Sequence, residues 1–99
     1  MAPTAQDAAN SVLKLTLARV VLDSEQGDEI RSRAGDALAY VVLHSYEDAV
    51  RYLRMTADSC HVPSREWAQG LLDDWRYVAQ HPGDPLPDRI NPFLPGRRV

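Results

Sequence analysis

The fold of this chain is decided by residues 45–75, which read SYEDAVRYLRMTADSCHVPSREWAQGLLDDW. Apolar side chains recur at three- and four-residue spacing on both sides of Pro63, as they do along amphipathic helices. Proline is well tolerated in the first turn of a helix, where its missing N–H would have no partner. The stretch therefore predicts a helix that ends near His61, a corner, and a second helix that runs from Pro63 to about Gln80.

The start of the first of these helices has two interpretations. Ser45-Tyr46-Glu47-Asp48 is a capping-box pattern, which predicts a new helix at Ser45. No proline interrupts residues 28–61, however, so one continuous helix about 50 Å long is the alternative. That length is large for so small a domain, and we favour a break near His44.

Two further helices are expected upstream. The first spans about residues 8–23, although alternation at Leu13, Leu15 and Leu17 is also typical of a strand. Gly27 is expected to end it, and Asp28 to cap the next helix. The expected inward faces are Ala9, Val12, Leu13, Leu17 and Val20 in the first helix, and Ile30, Ala34, Ala37, Leu38, Val41 and Val42 in the second.

The chain is expected to form one domain. We predict frayed residues 1–7, a helical domain over residues 8–81 and a proline-rich extension over residues 82–99. The extension also holds Leu86, Ile90, Phe93 and Leu94, which predicts that it lies along this domain or along a partner subunit. The predicted fold class is all-α, a small three- or four-helix antiparallel bundle with an extended proline-rich C-terminal tail.

Composition narrows the function classes. The 99 residues are 44% hydrophobic, too apolar for a disordered chain, and their net charge of −3 argues against general affinity for nucleic acid. Cys60 is the single cysteine, so no intrachain disulfide forms. The N-terminus lacks the features of a signal peptide, and the longest apolar run, Ala37 to Leu43, is too short to cross a bilayer. We expect a cytoplasmic protein without membrane contact.

Signals of catalysis are weak. The chain has no glycine-rich phosphate loop, nucleophile elbow or HExxH motif. His44, His61 and His81 each fall near a predicted helix end, where a histidine caps carbonyl groups and meets the helix dipole favourably. We therefore predict no enzyme activity, no catalytic residue, no metal site and no cofactor.

The aromatic stripe of the last helix points to an interface. Its members, Trp67, Leu71, Trp75 and Val78, have the spacing of a core or of a dimer contact. A chain this short buries a small share of its surface, and helical chains of this size often complete their core by pairing. The first hypothesis is a non-enzymatic helical interaction module, self-associating as a homodimer and acting as a regulatory or adaptor protein toward a protein partner.

A second hypothesis rests on a resemblance. Ser45, Ala49, Leu53, Arg54 and Ala68 fall without a gap on the residue spacing of the ANTAR family, and residues 30–72 resemble those three-helix RNA-binding domains. The resemblance implies binding of RNA hairpins and transcription antitermination. The arginines that would contact RNA are Arg31, Arg33, Arg51 and Arg54. Against this, residues 28–80 hold nine acidic and six basic side chains.

Overall fold

The computed structural model describes residues 4–81, and these form four α-helices in succession. The helices are α1 (Ala5–Leu22), α2 (Asp28–Leu43), α3 (Tyr46–Ala57) and α4 (Val62–Gln80). The all-α fold class is confirmed, and the strand alternative for the first segment is wrong. The prediction made for residues 82–99 lies outside the described residues.

The boundary between α2 and α3 lies where the capping pattern placed it. Ser45 has extended backbone angles, and its side-chain oxygen accepts a hydrogen bond from the Asp48 amide at 3.1 Å. A cap of this kind satisfies one of the backbone donors that a helix start leaves without a partner. Two helices therefore occupy the region in which one long helix was the alternative, and only His44 and Ser45 connect them.

The first helix begins earlier than the expected residue 8. The Thr4 hydroxyl accepts from the Asp7 amide at 3.0 Å, while the Asp7 carboxylate accepts from the Thr4 amide at 3.2 Å. This reciprocal capping box places residues 5–7 in the helix rather than in a frayed end. The spacing Thr4-x-x-Asp7 was the signal that the sequence offered for it.

Two helix ends differ in detail from the expectation. α1 ends at Leu22 with Asp23 as its C-cap, and Gly27 instead precedes α2 as an N-cap without a side-chain hydrogen bond. Asp28 is the first residue of α2, where its negative charge suits the positive end of the helix dipole. α3 ends at Ala57, short of His61, because α4 already starts at Val62 and the intervening residues make the turn.

Short connections make each helix antiparallel to the next, and α1 closes the bundle by packing against α4. The starts of α1 and α3 and the ends of α2 and α4 consequently share one end of the bundle. All four helices supply the core, which consists of Leu13, Leu17, Val20, Ala34, Ala37, Val50, Leu53, Leu71 and Leu72. The contribution of α2 is two alanines, which let it approach its neighbours closely.

One residue of the expected α2 core is not buried. Val42 is 63% exposed, whereas Val41, Leu38 and Ile30 pack against the core. Each helical residue turns the chain by about 100°, so two adjacent valines cannot both face inward. The apolar residues at the end of α2 therefore extend around the helix beyond the face that the neighbouring helices cover.

Candidate functional site

The predicted interface stripe on α4 faces the inside of the bundle. Leu71 is 1% exposed and belongs to the core, so a second chain reaches it only if the helices separate. Trp67 and Trp75 are half-buried and pack against that core, and Val78 is also half-buried. An interface role of the partly exposed Trp67, Trp75 and Val78 stays a prediction.

The exposed apolar side chains of α2 form a different surface, called here the α2 patch and consisting of Tyr40, Val42 and Leu43. Their exposed fractions are 38%, 63% and 75%. All three lie in the last turn and a half of α2. The sequence signal for this surface was the apolar run from Ala37 to Leu43, which exceeds what one side of a helix can bury.

A groove between α2 and α3 adjoins the α2 patch. Its volume is about 290 Å³, and its walls are Asp36, Ala39, Tyr40, Leu43, His44 and Tyr52. The rings of Tyr40 and Tyr52 lie with centroids 5.4 Å apart and planes tilted by 35°, a favourable arrangement for an aromatic pair. The groove is therefore apolar and aromatic on the side that continues into the α2 patch.

Hydrogen bonds fix the polar wall of this groove. The Tyr52 hydroxyl donates to Asp36 Oδ2 at 2.8 Å, and burial together with this bond raises the pKa of Tyr52 above its usual 10.0. Arg33 Nε lies 2.7 Å from Glu29 Oε2, and hydrogen bonds to Glu29 and to Tyr52 raise the pKa of Arg33. The guanidinium of Arg33 is thus already engaged within the protein.

A second cavity, called here the α1–α3–α4 cavity, lies at the same end of the bundle. Its volume is about 310 Å³, and it is lined by Gln6, Asn10, Tyr46, Glu47, Val50, Arg51, Arg54 and Trp75. The indole N–H of Trp75 donates to Asn10 Oδ1 at 2.9 Å and so ties α4 to α1. Gln6 Nε2 donates to the same oxygen at 3.1 Å.

The four arginines assigned to RNA do not share one surface. Arg51 and Arg54 line the α1–α3–α4 cavity, whereas Arg33 belongs to the network beside the groove. Arg31 is paired with Asp28 within the first turns of α2. The structure therefore brings two of the four residues together and separates the other two from them.

The two cavity arginines differ in their ion pairs. Arg51 lies 3.6 Å from Glu47 and 3.4 Å from Asp48. Within residues 4–81, Arg54 has no carboxylate at ion-pair distance. Arg54 is exposed, so its guanidinium can bind an external anion without losing an ion pair.

The histidines occupy helix ends, but His61 does not cap carbonyl groups. Its Nδ1 accepts from the Ser64 amide at 3.3 Å and lies 2.6 Å from the Ser64 hydroxyl, which makes it the N-cap of α4. His44 is the C-cap of α2. The Nδ1–H of His81, the C-cap of α4, donates to the Tyr77 carbonyl at 3.1 Å. In residues 4–81 no three histidine, cysteine or carboxylate side chains gather where they would hold a metal ion.

The described part of the chain is thus a small all-α four-helix bundle with an apolar patch and two cavities near one end. Comparison of the chain with known protein families, with curated proteins and with solved structures gives no match. Function therefore has to be argued from these surfaces. No helix within residues 4–81 has the length and apolar character needed to cross a membrane.

Proposed function

We propose that this chain is a non-enzymatic interaction module that self-associates through the α2 patch. The observation that carries the proposal is the exposure of Val42 and Leu43 side by side at the end of α2. Large contiguous apolar patches are uncommon on the surfaces of monomers, and they typically mark contact surfaces. The α4 stripe, from which the sequence predicted pairing, supplies less accessible area because its centre is core.

The shape of the surface favours pairing of two identical copies. In a twofold contact the same patch appears on both chains, so each protruding residue needs a matching recess on the same surface. The α2 patch meets this need, because exposed Leu43 and Val42 stand beside the α2–α3 groove. The groove volume of about 290 Å³ is large enough to admit a leucine side chain.

The burial energy of the exposed α2 side chains corresponds to a weak association. Full burial of a leucine or valine side chain contributes about 1.5–3 kcal/mol, and both residues here keep more than half of their surface exposed. A dimer that forms through the α2 patch would bury four such side chains, two from each copy. The loss of rotational and translational freedom costs about 4–15 kcal/mol, so these four side chains alone support a dissociation constant no tighter than about millimolar.

The test is a matched pair of variants studied by sedimentation equilibrium over a wide concentration range. Leu43 and Leu22 are each the last residue of a helix, with exposed fractions of 75% and 81%, but they lie at opposite ends of the bundle. Leu43→Gln should weaken the dimer about tenfold or more, and Leu22→Gln should leave it unchanged. A monomer at every concentration would refute self-association, and equal effects of the two variants would refute the α2 patch.

RNA binding is the second candidate function, and one observation favours it. Arg51 and Arg54 line the same cavity as Tyr46 and Trp75, and arginines combined with aromatic rings are typical of single-stranded nucleic-acid sites. A gel-shift assay with RNA hairpins should then show binding that weakens with salt and with Arg51→Gln and Arg54→Gln. Arg76→Gln is the control, because Arg76 is an exposed α4 residue next to Asp73. Absence of a shift at low salt would remove this candidate.

A further inference from the structure

We propose that the α1–α3–α4 cavity binds a small planar anion, meaning one aromatic ring that carries a phosphate or carboxylate group. The proposal is independent of self-association through the α2 patch. Small-molecule sites are concave, mostly apolar and provided with a few converging polar groups, and their volumes start near 300 Å³. The cavity volume of about 310 Å³ suits a single ring with its acidic group, not a larger cofactor.

The lining provides a place for the ring. Tyr46, Val50 and Trp75 supply aromatic and aliphatic surface from α3 and α4. Trp75 is held in place, because its indole N–H donates to Asn10 Oδ1 at 2.9 Å. A fixed indole loses little freedom when a ligand stacks on it, which favours binding.

The polar groups select for a negative charge. Arg54 is exposed and has no carboxylate partner within residues 4–81, so its guanidinium can bind an external anion without breaking an ion pair. The amide oxygen of Asn10 already accepts two hydrogen bonds, from Trp75 and Gln6, which leaves its N–H groups as the donors it can offer. The single carboxylate of the lining, Glu47, faces Arg51 at 3.6 Å.

Competing ligand classes fit this lining less well. A cation would meet the guanidinium of Arg54 without a free carboxylate to offset the repulsion. A neutral ring would fill the apolar part but would leave the charge of Arg54 unused. An inorganic anion alone would pair with Arg54 but would bury none of the aromatic surface. The ring and the acidic group are therefore both required.

The experiment is a titration of the full chain followed by ¹H–¹⁵N NMR, in which the indole N–H signal of Trp75 reports on the cavity. The probes are phenyl phosphate and benzoate, with benzyl alcohol and inorganic phosphate as the neutral-ring and ring-free controls. We expect a saturable shift of the Trp75 signal with the two aryl anions, and affinity at least about tenfold lower for both controls. Added salt should weaken the binding of the aryl anions.

Variants at two arginines link the shift to the proposed charge contact. Arg54→Gln should weaken phenyl phosphate binding about tenfold and Arg54→Lys by less, since lysine keeps the charge but not the planar fork. Arg76→Gln, a change at another exposed arginine, should leave binding unchanged. The proposal would be overturned if Arg54→Gln bound phenyl phosphate as tightly as the unchanged protein, or if benzyl alcohol shifted the Trp75 signal as much as the aryl anions do. It would also be overturned if RNA hairpins shifted that signal and the aryl anions did not.

Discussion

Replacement of Leu71 by alanine should destabilise the folded chain strongly, whereas the same replacement at Leu43 should not. Leu71 is 1% exposed and belongs to the core to which all four helices contribute, while Leu43 is 75% exposed. Truncating a buried leucine costs about 2–5 kcal/mol, because transfer energy is lost and a cavity remains. Exposed positions usually change stability by no more than about 0.5 kcal/mol.

The cost is large compared with the total stability of a domain of this size. At about 0.05–0.15 kcal/mol per residue, residues 4–81 have a free energy of unfolding of roughly 4–12 kcal/mol. Leu71→Ala should therefore remove at least about a sixth of it, and most of it if the total lies at the low end of this range. The melting temperature should fall by at least about 8 °C, since 1 kcal/mol corresponds to roughly 4–8 °C in small domains.

Urea unfolding monitored by far-UV circular dichroism measures both variants on the same scale. The measurement is made at the lowest practical concentration and repeated at a higher one, because dimerisation through the α2 patch would add concentration-dependent stability. A loss below about 1 kcal/mol for Leu71→Ala would contradict the inward orientation of the α4 stripe. A loss for Leu43→Ala as large as that for Leu71→Ala, at both concentrations, would contradict the exposed position of the α2 patch.

Three further changes test separate contacts. Ser45→Ala removes the N-cap of α3 and should lower the free energy of unfolding by about 1 kcal/mol, measured by urea unfolding, with Ser45→Asp as the variant that retains a cap. Burial and the hydrogen bond to Asp36 raise the pKa of Tyr52, so the neutral form stabilises the fold at and below neutral pH. That contribution is lost as the pH rises past 10 through the raised pKa. Tyr52→Phe should therefore remove one phenolate step above pH 10 from the absorbance titration, and with it this part of the alkaline destabilisation. Asn10→Ala leaves the indole N–H of Trp75 without its acceptor and should cost about 1–2 kcal/mol by thermal unfolding, whereas Asn10→Asp should retain most of the stability.

The sequence predicted the number and order of the helices well, because that information is local. Ser45 announces a helix start through its own side chain, and Pro63 fits only the first turn of a helix. The inner face of α1 was predicted largely correctly, since Leu13, Leu17 and Val20 are buried at the expected spacing. Periodicity identifies such faces whenever one side of a helix is apolar and the opposite side is polar.

The surfaces could not be predicted in the same way, because they depend on which neighbour covers which side. The pattern did not distinguish Val41 from Val42, and only the packing of α2 decides that the second is exposed. The α1–α3–α4 cavity joins Asn10 to Trp75, which lie 65 residues apart in the chain, and no local pattern connects them. The sequence therefore did not predict this cavity. Arg51 and Arg54 were predicted as RNA contacts and Trp75 as part of the α4 stripe, without any indication that the three residues line one cavity.

The closure of the bundle by its first and last helices has a kinetic consequence. Three of the four strong helix contacts join neighbours along the chain, and such local pairs form quickly because little chain entropy is lost. The contact between α1 and α4, with its Asn10–Trp75 bond, spans almost the whole described chain and is expected to form last. Under native conditions this seam should therefore open more often than the α2–α3 and α3–α4 hairpins, and exchange of the Trp75 indole hydrogen, which bonds Asn10 across the seam, should report the opening.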